Sequence, residues 1–126
     1  MINIVADRDI PYLDKIFDNS KNYQLNKLSF DEITNSSLRK ADALLSRSAT
    51  PLSGDLLEGT KIKFIGSLTS GEDHIDFDAI NSLNIEVITA KGCNAQAVTE
   101  YVLDALSVSK EKRIGLIGEG FIGCKL

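Results

Sequence analysis

The sequence is poor in the residues on which several chemistries depend. One histidine, His74, occurs in 126 residues, so a mechanism that needs two imidazoles finds only one in this chain. Two cysteines, Cys93 and Cys124, lack both the close spacing of a metal site and the density of a disulfide framework. A reducing cytoplasm is the expected compartment. No run approaches the roughly 18 apolar residues of a membrane span. The first residues place no base ahead of their apolar run and meet an acid at Asp7, which argues against a signal peptide. Nor is there a surplus of positive charge: 14 Lys and Arg stand against 18 Asp and Glu, a formal net charge of −4. The nearest thing to a basic patch, Lys110-Glu111-Lys112-Arg113, is short and contains an acid. It reads as the solvated approach to a strand, and no nucleic-acid partner is expected. Internal repeats and low-complexity linkers are missing as well.

What is present fits a soluble globular chain, with 43% hydrophobic and 25% charged residues. Its length suits one domain, or one domain and a piece of another. Short apolar runs alternate with longer mixed stretches. Strands are expected at 2–6, 23–28, 42–46, 61–66, 84–88 and 113–117. Between them, helices are expected at 12–19 with Pro11 at the first helical position, from Ser29 to about Lys40, at 52–57 and 77–83, and at 95–109. Ser29 with Glu32 has capping-box spacing, and Ser53 and Asn94 are candidate caps. Val98, Tyr101, Val102, Ala105 and Leu106 make the apolar face of the longest helix. Such alternation implies an α/β fold with a largely parallel sheet and helices on both faces.

The sharpest motif is Gly118-Glu119-Gly120-Phe121-Ile122-Gly123, directly after the expected strand 113–117. A strand, a glycine turn and a helix start are the context in which G-x-G-x-x-G binds a dinucleotide. Gly118 would make the tight turn, Gly120 would admit a pyrophosphate, and Gly123 would let helix and strand pack closely. The plainer alternative is a glycine turn that serves packing alone. The acid that would hold the ribose belongs about 20 residues further on, beyond Leu126.

Two more loops follow strands, where open α/β sheets bind ligands. In Ser46-Arg47-Ser48-Ala49-Thr50, hydroxyls flank an arginine that could hold a phosphate or carboxylate, or could pair on the surface. Gly66-Ser67-Leu68-Thr69-Ser70-Gly71-Glu72-Asp73-His74 can present N–H groups to an anion, provided Glu72 and Asp73 face away. His74 is better read as a histidine hydrogen-bonded to a neighbouring acid than as a base. Asp73, His74 and Asp76 are too close in sequence to form a metal site without a distant ligand, and no metal is expected. Cys93, near a helix start, reads as an incidental thiol.

Together these segments resemble the D-isomer-specific 2-hydroxyacid dehydrogenase family. The resemblance is carried by residues 2–7, Pro11-Tyr12, Ala41-Asp42-Ala43-Leu44 with Arg47-Ser48, Ile62-Lys63-Phe64-Ile65-Gly66 and Gly71-Glu72-Asp73-His74-Ile75-Asp76. Gly92-Cys93-Asn94-Ala95, continued by Ala97-Val98 and Glu100-Tyr101-Val102, and the terminal glycine motif extend it over essentially the whole chain.

The resemblance implies a flavodoxin-like three-layer sandwich with a mostly parallel sheet. The first strand and glycine turn of an incomplete Rossmann domain would follow it. Residues 1–93 would be the substrate-binding domain, 94–110 an interdomain helix, and 111–126 the start of an NAD-binding domain. The implied reaction is hydride transfer between NAD and C2 of a small phosphorylated 2-hydroxy acid, in a homodimer. By position, Ser48, Thr69 and Gly71 match substrate contacts, Arg47 lies beside the first, and Gly118, Gly120 and Gly123 match the pyrophosphate turn. Arginine, glutamate and histidine for catalysis are expected beyond Leu126, so this chain by itself is expected to be inactive. His74 does not match the catalytic histidine. Ser67, Leu68, Ser70 and Glu72 depart from the family pattern and bear on the choice of substrate. The alternative readings are an inactive or standalone flavodoxin-like module that binds a partner, and another dehydrogenase of the family acting on a different 2-hydroxy acid such as phosphoglycerate.

Overall fold

The computed structural model describes residues 1–17, 22–108 and 113–126, which form two compact units, Met1–Ala90 and Lys91–Leu126. In the first, five strands alternate with four short helices: β1 (Ile2–Asp7), α1 (Leu13–Phe17), β2 (Tyr23–Leu28), α2 (Asn35–Leu38), β3 (Ala43–Ser46), α3 (Gly54–Leu57), β4 (Phe64–Ser67), α4 (Phe77–Ser82) and β5 (Glu86–Thr89). All pairings are parallel, in the order β2-β1-β3-β4-β5. That is the flavodoxin-like order, with its switch point between β1 and β3. The α/β expectation therefore holds.

Register explains how the helices divide between the faces. Val5 pairs with Leu44, Leu44 with Ile65, and Ile65 with Val87. This row of side chains packs with Leu38 of α2, Leu57 of α3 and Ile80 of α4 into the larger core. Successive residues point to opposite faces, so Ala6 and Leu45 face the other way. There they meet Ile10, Leu13 and Phe17 of the α1 region. Among the described residues this second face is thinly covered. An apolar trough of about 560 Å³ runs over Ile2, Ile4, Ala43, Leu45 and Phe64.

Several local expectations are corrected. Pro11 does not open α1, because Tyr12 intervenes at φ 63° and its carbonyl accepts the first helical bonds, from Lys15 and Ile16. The Ser29–Glu32 pair forms, but it closes a turn. The Glu32 carboxylate accepts from the Ser29 N–H and hydroxyl and from Arg8, and these donors, Ser29 first, hold its pKa down to about 2. The helix begins five residues later, where Thr34 and Ser37 make the capping box. Strand β5 starts at Glu86 because Asn84 adopts φ 53°.

The second unit contains α5 (Ala95–Ser107) and a 3-10 turn at Gly123–Lys125. Asn94 makes no side-chain cap; its φ of −96° and ψ of 1° fall outside the extended conformation that aims a cap oxygen at the next N–H groups. The expected end of this helix at 109 lies outside the described residues. No strand forms within the described part of 113–117. Ile114 and Ile117 are exposed there, and an extended segment without a neighbouring strand has no ladder to join. No helix among the described residues is long and apolar enough to cross a membrane.

Candidate functional site

The register that builds the core also builds a polar row. Two residues beyond Val5, Leu44, Ile65 and Val87, on the same face, stand Asp7, Ser46, Ser67 and Thr89. Each ends its strand at the carboxyl edge of the sheet, where ligands bind in this topology. Asp7, Ser46 and Ser67 are buried, and buried polar groups need partners.

Asp7 finds its partner in Arg47. The guanidinium donates from Nε to Asp7 Oδ2 at 3.0 Å, from Nη2 to Asp7 Oδ1 at 3.3 Å, and from Nη2 to Asp9 Oδ2 at 2.7 Å. Asp7 Oδ1 also accepts the Asp9 N–H at 3.0 Å. Hydrogen bonding to Asp7 raises the Arg47 pKa above its ordinary value, with burial opposing. One arginine thus serves two carboxylates at the switch point.

Ser67 Oγ lies 3.0 Å from His74 Nε2 and 3.4 Å from Thr69 Oγ1. His74 is therefore held by a serine hydroxyl, where an acid was expected. Burial lowers its pKa and the Asp73 charge partly offsets this. Thr89 Oγ1 donates to Glu72 Oε1 at 2.9 Å, so the Glu72 carboxylate is tied to the end of β5. Asp76 caps α4 by accepting from the Ala79 N–H at 3.0 Å. The candidate metal trio is thus dispersed: Asp76 serves a helix and His74 a serine. Ser46 Oγ and Thr50 Oγ1 are buried without a hydrogen-bond partner among the described residues. Buried hydroxyls without a partner are exceptions in folded proteins.

Of the sequence-predicted substrate contacts, Ser48 is exposed on the β3–α3 loop, while Thr69 is half-buried and Gly71 exposed on the β4–α4 loop. The two loops leave adjacent parallel strands and are fastened to each other. The Leu68 N–H donates to the Ser46 carbonyl at 2.9 Å, Leu52 N–H to the His74 carbonyl at 2.8 Å, and Asp76 N–H to the Leu52 carbonyl at 3.0 Å. Asp7, Ser67 and Thr89 were not singled out as site residues by sequence reasoning, which weighed His74 only as a base or a metal ligand. For Asp7, Ser67 and Thr89 the signal was there in the period of two, since β1, β3, β4 and β5 each end apolar–x–polar.

In the second unit, Gly118 has φ +90°. A Cβ on Gly123 would stand 2.2 Å from the Gly118 carbonyl oxygen, so no other residue fits without moving the turn. Gly120 has open space where a Cβ would be. Cys93 and Cys124 are free and exposed.

Two predictions arise here. The folded state favours neutral His74, so the unfolded chain binds more protons just below the ordinary histidine pKa. Stability should be fully present above about pH 6.5 and fall as the pH drops toward the lowered value. Denaturant midpoints at a series of pH values, compared with His74→Asn, would check this. A second concerns Thr50→Val, which removes an unpartnered buried hydroxyl at nearly constant volume. It should raise stability by about 1 kcal/mol, and a loss in urea denaturation would show that the hydroxyl has a partner.

Comparison with known proteins bears on this geometry. Residues 2–119 match the D-isomer specific 2-hydroxyacid dehydrogenase catalytic domain. The chain is 44% identical over 133 residues to the erythronate-4-phosphate dehydrogenase of Hahella chejuensis, covering 99% of the chain and 34% of the relative. With the enzyme of the same name from Legionella pneumophila it shares 42% identity, over 99% of the chain and 37% of that protein. It spans about a third of the length of these relatives. Among solved structures, NAD+-bound 3-phosphoglycerate dehydrogenase from Entamoeba histolytica superposes with a TM-score of 0.71 at 20% identity, over 98% of the chain and 48% of that structure. A D-lactate dehydrogenase from Aquifex aeolicus, complexed with NAD and lactic acid, gives 0.68 at 17%, over 98% and 46%. These two likenesses show the fold.

Proposed function

The chain belongs to the D-isomer specific 2-hydroxyacid dehydrogenase family, and from that premise we propose that it serves an NAD-dependent oxidation of 4-phospho-D-erythronate at C2. The single observation that carries this reading is the fastened pair of loops at the carboxyl ends of β3 and β4, bearing Ser48 and Thr69, in a chain 44% identical to a protein of that activity. Residues 1–93 form the substrate-binding domain in this reading, 94–110 the helix between domains, and 111–126 the opening of the NAD-binding domain. The protein acts in the cytoplasm as a homodimer, in a step toward pyridoxal 5'-phosphate.

The chemistry follows from the residue types. A phosphorylated hydroxy acid carries two anionic ends and hydroxyls between them. Ser48, Thr69 and the N–H groups around Gly71 offer hydrogen bonds to such a ligand. Hydroxyls and amides orient an anion without requiring a second buried charge. NAD, when bound, supplies the hydride acceptor. Open space at the Cβ positions of Gly118 and Gly120 supports them as the approach for its pyrophosphate, with Gly123 closing the turn against the Gly118 carbonyl. His74 is engaged by Ser67 and serves the loop rather than the proton transfer.

Isothermal titration tests the substrate. The protein is expected to bind 4-phospho-D-erythronate in preference to 3-phosphoglycerate and D-lactate, and Ser48→Ala and Thr69→Ala are each expected to weaken that binding by roughly tenfold. Equal heats for all three acids would remove the specificity. Unchanged affinity in both variants would remove these residues from the site.

A further inference from the structure

His74 makes two contacts, one to the neighbouring loop and one within its own. Its carbonyl accepts the Leu52 N–H at 2.8 Å, which anchors the loop carrying Ser48. Its ring Nε2 meets Ser67 Oγ at 3.0 Å, and Ser67 Oγ in turn lies 3.4 Å from Thr69 Oγ1. Ser67 is buried, so its hydroxyl has few choices of direction.

Within such a chain every hydroxyl gives one proton and must point the same way as its neighbours. When Nδ1 carries the ring proton, Ser67 donates to Nε2 and Thr69 donates to Ser67. Thr69 then shows only lone pairs to the crevice, which repel an anion. With the proton on Nε2, the ring donates to Ser67, Ser67 donates to Thr69, and the Thr69 proton points outward. Only this second arrangement offers a hydrogen bond to a phosphate or carboxylate oxygen.

We propose that His74 is a positioning residue whose ring proton sets the direction of the Ser67–Thr69 hydroxyl chain, and that an anionic ligand at Thr69 selects the form with the proton on Nε2. The inference rests on the reading of Thr69 as a ligand contact. It assigns His74 and Ser67 a role that the substrate assignment does not require. The charged groups near the ring among the described residues are accounted for as follows. Asp73 acts on it through space and favours the protonated ring, Glu72 is held by Thr89, and Asp76 is committed to the α4 cap. On the neighbouring loop, Arg47 is matched by Asp7 and Asp9. By linkage, a ligand that selects the Nε2–H forms, the cation included, also raises the His74 pKa.

With one histidine in the sequence, the ring nitrogens can be followed without ambiguity. Long-range 15N–1H spectra of the full chain would be recorded from pH 5 to 8, with and without saturating 4-phospho-D-erythronate. Ligand is expected to move Nε2 toward the protonated shift and to raise the apparent pKa of the ring. Ser67→Ala should leave ligand binding measurable at roughly fivefold lower affinity while abolishing the response of the ring, and Ser67→Thr should restore it. If the Thr69 amide shifts with ligand while both ring nitrogens stay put, the inference fails and the substrate reading stands. If neither responds, the substrate reading fails and the inference with it.

Discussion

Leu44→Ala is expected to destabilise the protein by about 3 kcal/mol, within the range of roughly 2–5 measured for buried leucines. Leu44 lies in the middle of the central strand β3, fully shielded from solvent, and pairs with Val5 on one side and Ile65 on the other. Its side chain belongs to the cluster that joins the sheet to α2, α3 and α4. Truncation removes packed methyl groups and leaves a cavity that neighbours on a hydrogen-bonded sheet cannot close. Leu45→Ala, one position on and on the thinly covered face, should cost much less. Urea denaturation of the two variants would compare them, and equal losses would contradict the assignment of the faces. Two residues after Leu44 the strand delivers Ser46 and then the loop with Ser48, so a loosened β3 should also weaken ligand binding.

A second large effect is expected from Arg47→Met. The side chain keeps its length but loses the charge that faces Asp7, which is fully buried. A buried carboxylate left without its cation is costly, and the melting midpoint should fall by roughly 5–10 °C. Asp7→Asn should fall less, because Arg47 retains Asp9 and some access to water. In the folded variant, affinity for an anionic ligand should change little, since the Arg47 charge is already matched inside the protein. Scanning calorimetry beside isothermal titration separates the two effects. A variant as stable as the parent but unable to bind ligand would return Arg47 to the role of a substrate contact.

Much of the fold was legible in the sequence because short apolar runs bounded by polar turns leave few alternatives to buried parallel strands. All five strands of the sheet stand where the runs are, with no end moved by more than three residues. The glycine turn was legible in part: Gly118 takes a left-handed conformation, while Gly123 packs on the Gly118 carbonyl where a contact of helix with strand was expected. Helix starts were less so. Ser29 and Glu32 satisfy a local capping pattern equally well as a turn, and the choice of Thr34 depends on where Ile33 and Leu38 can reach the sheet. The expected strand at 113–117 shows the limit of apolar runs, because a strand exists only where another offers its hydrogen bonds.

The sequence by itself determined the α/β order, the family, and the two loops that carry Ser48 and Thr69. Each of these is written in neighbouring residues, as periodicity or as motif. Only the tertiary structure decided what those loops contain. Asp7 and Arg47 lie forty positions apart, and Thr89 and Glu72 seventeen. Strand register puts Asp7, Ser46, Ser67 and Thr89 into one row, in which Asp7, Ser67 and Thr89 find side-chain partners. The pairing of Arg47 with two carboxylates follows from where β1 and β3 lie side by side, which no local pattern records, whereas His74 meets Ser67 within the loop that Ser67 opens.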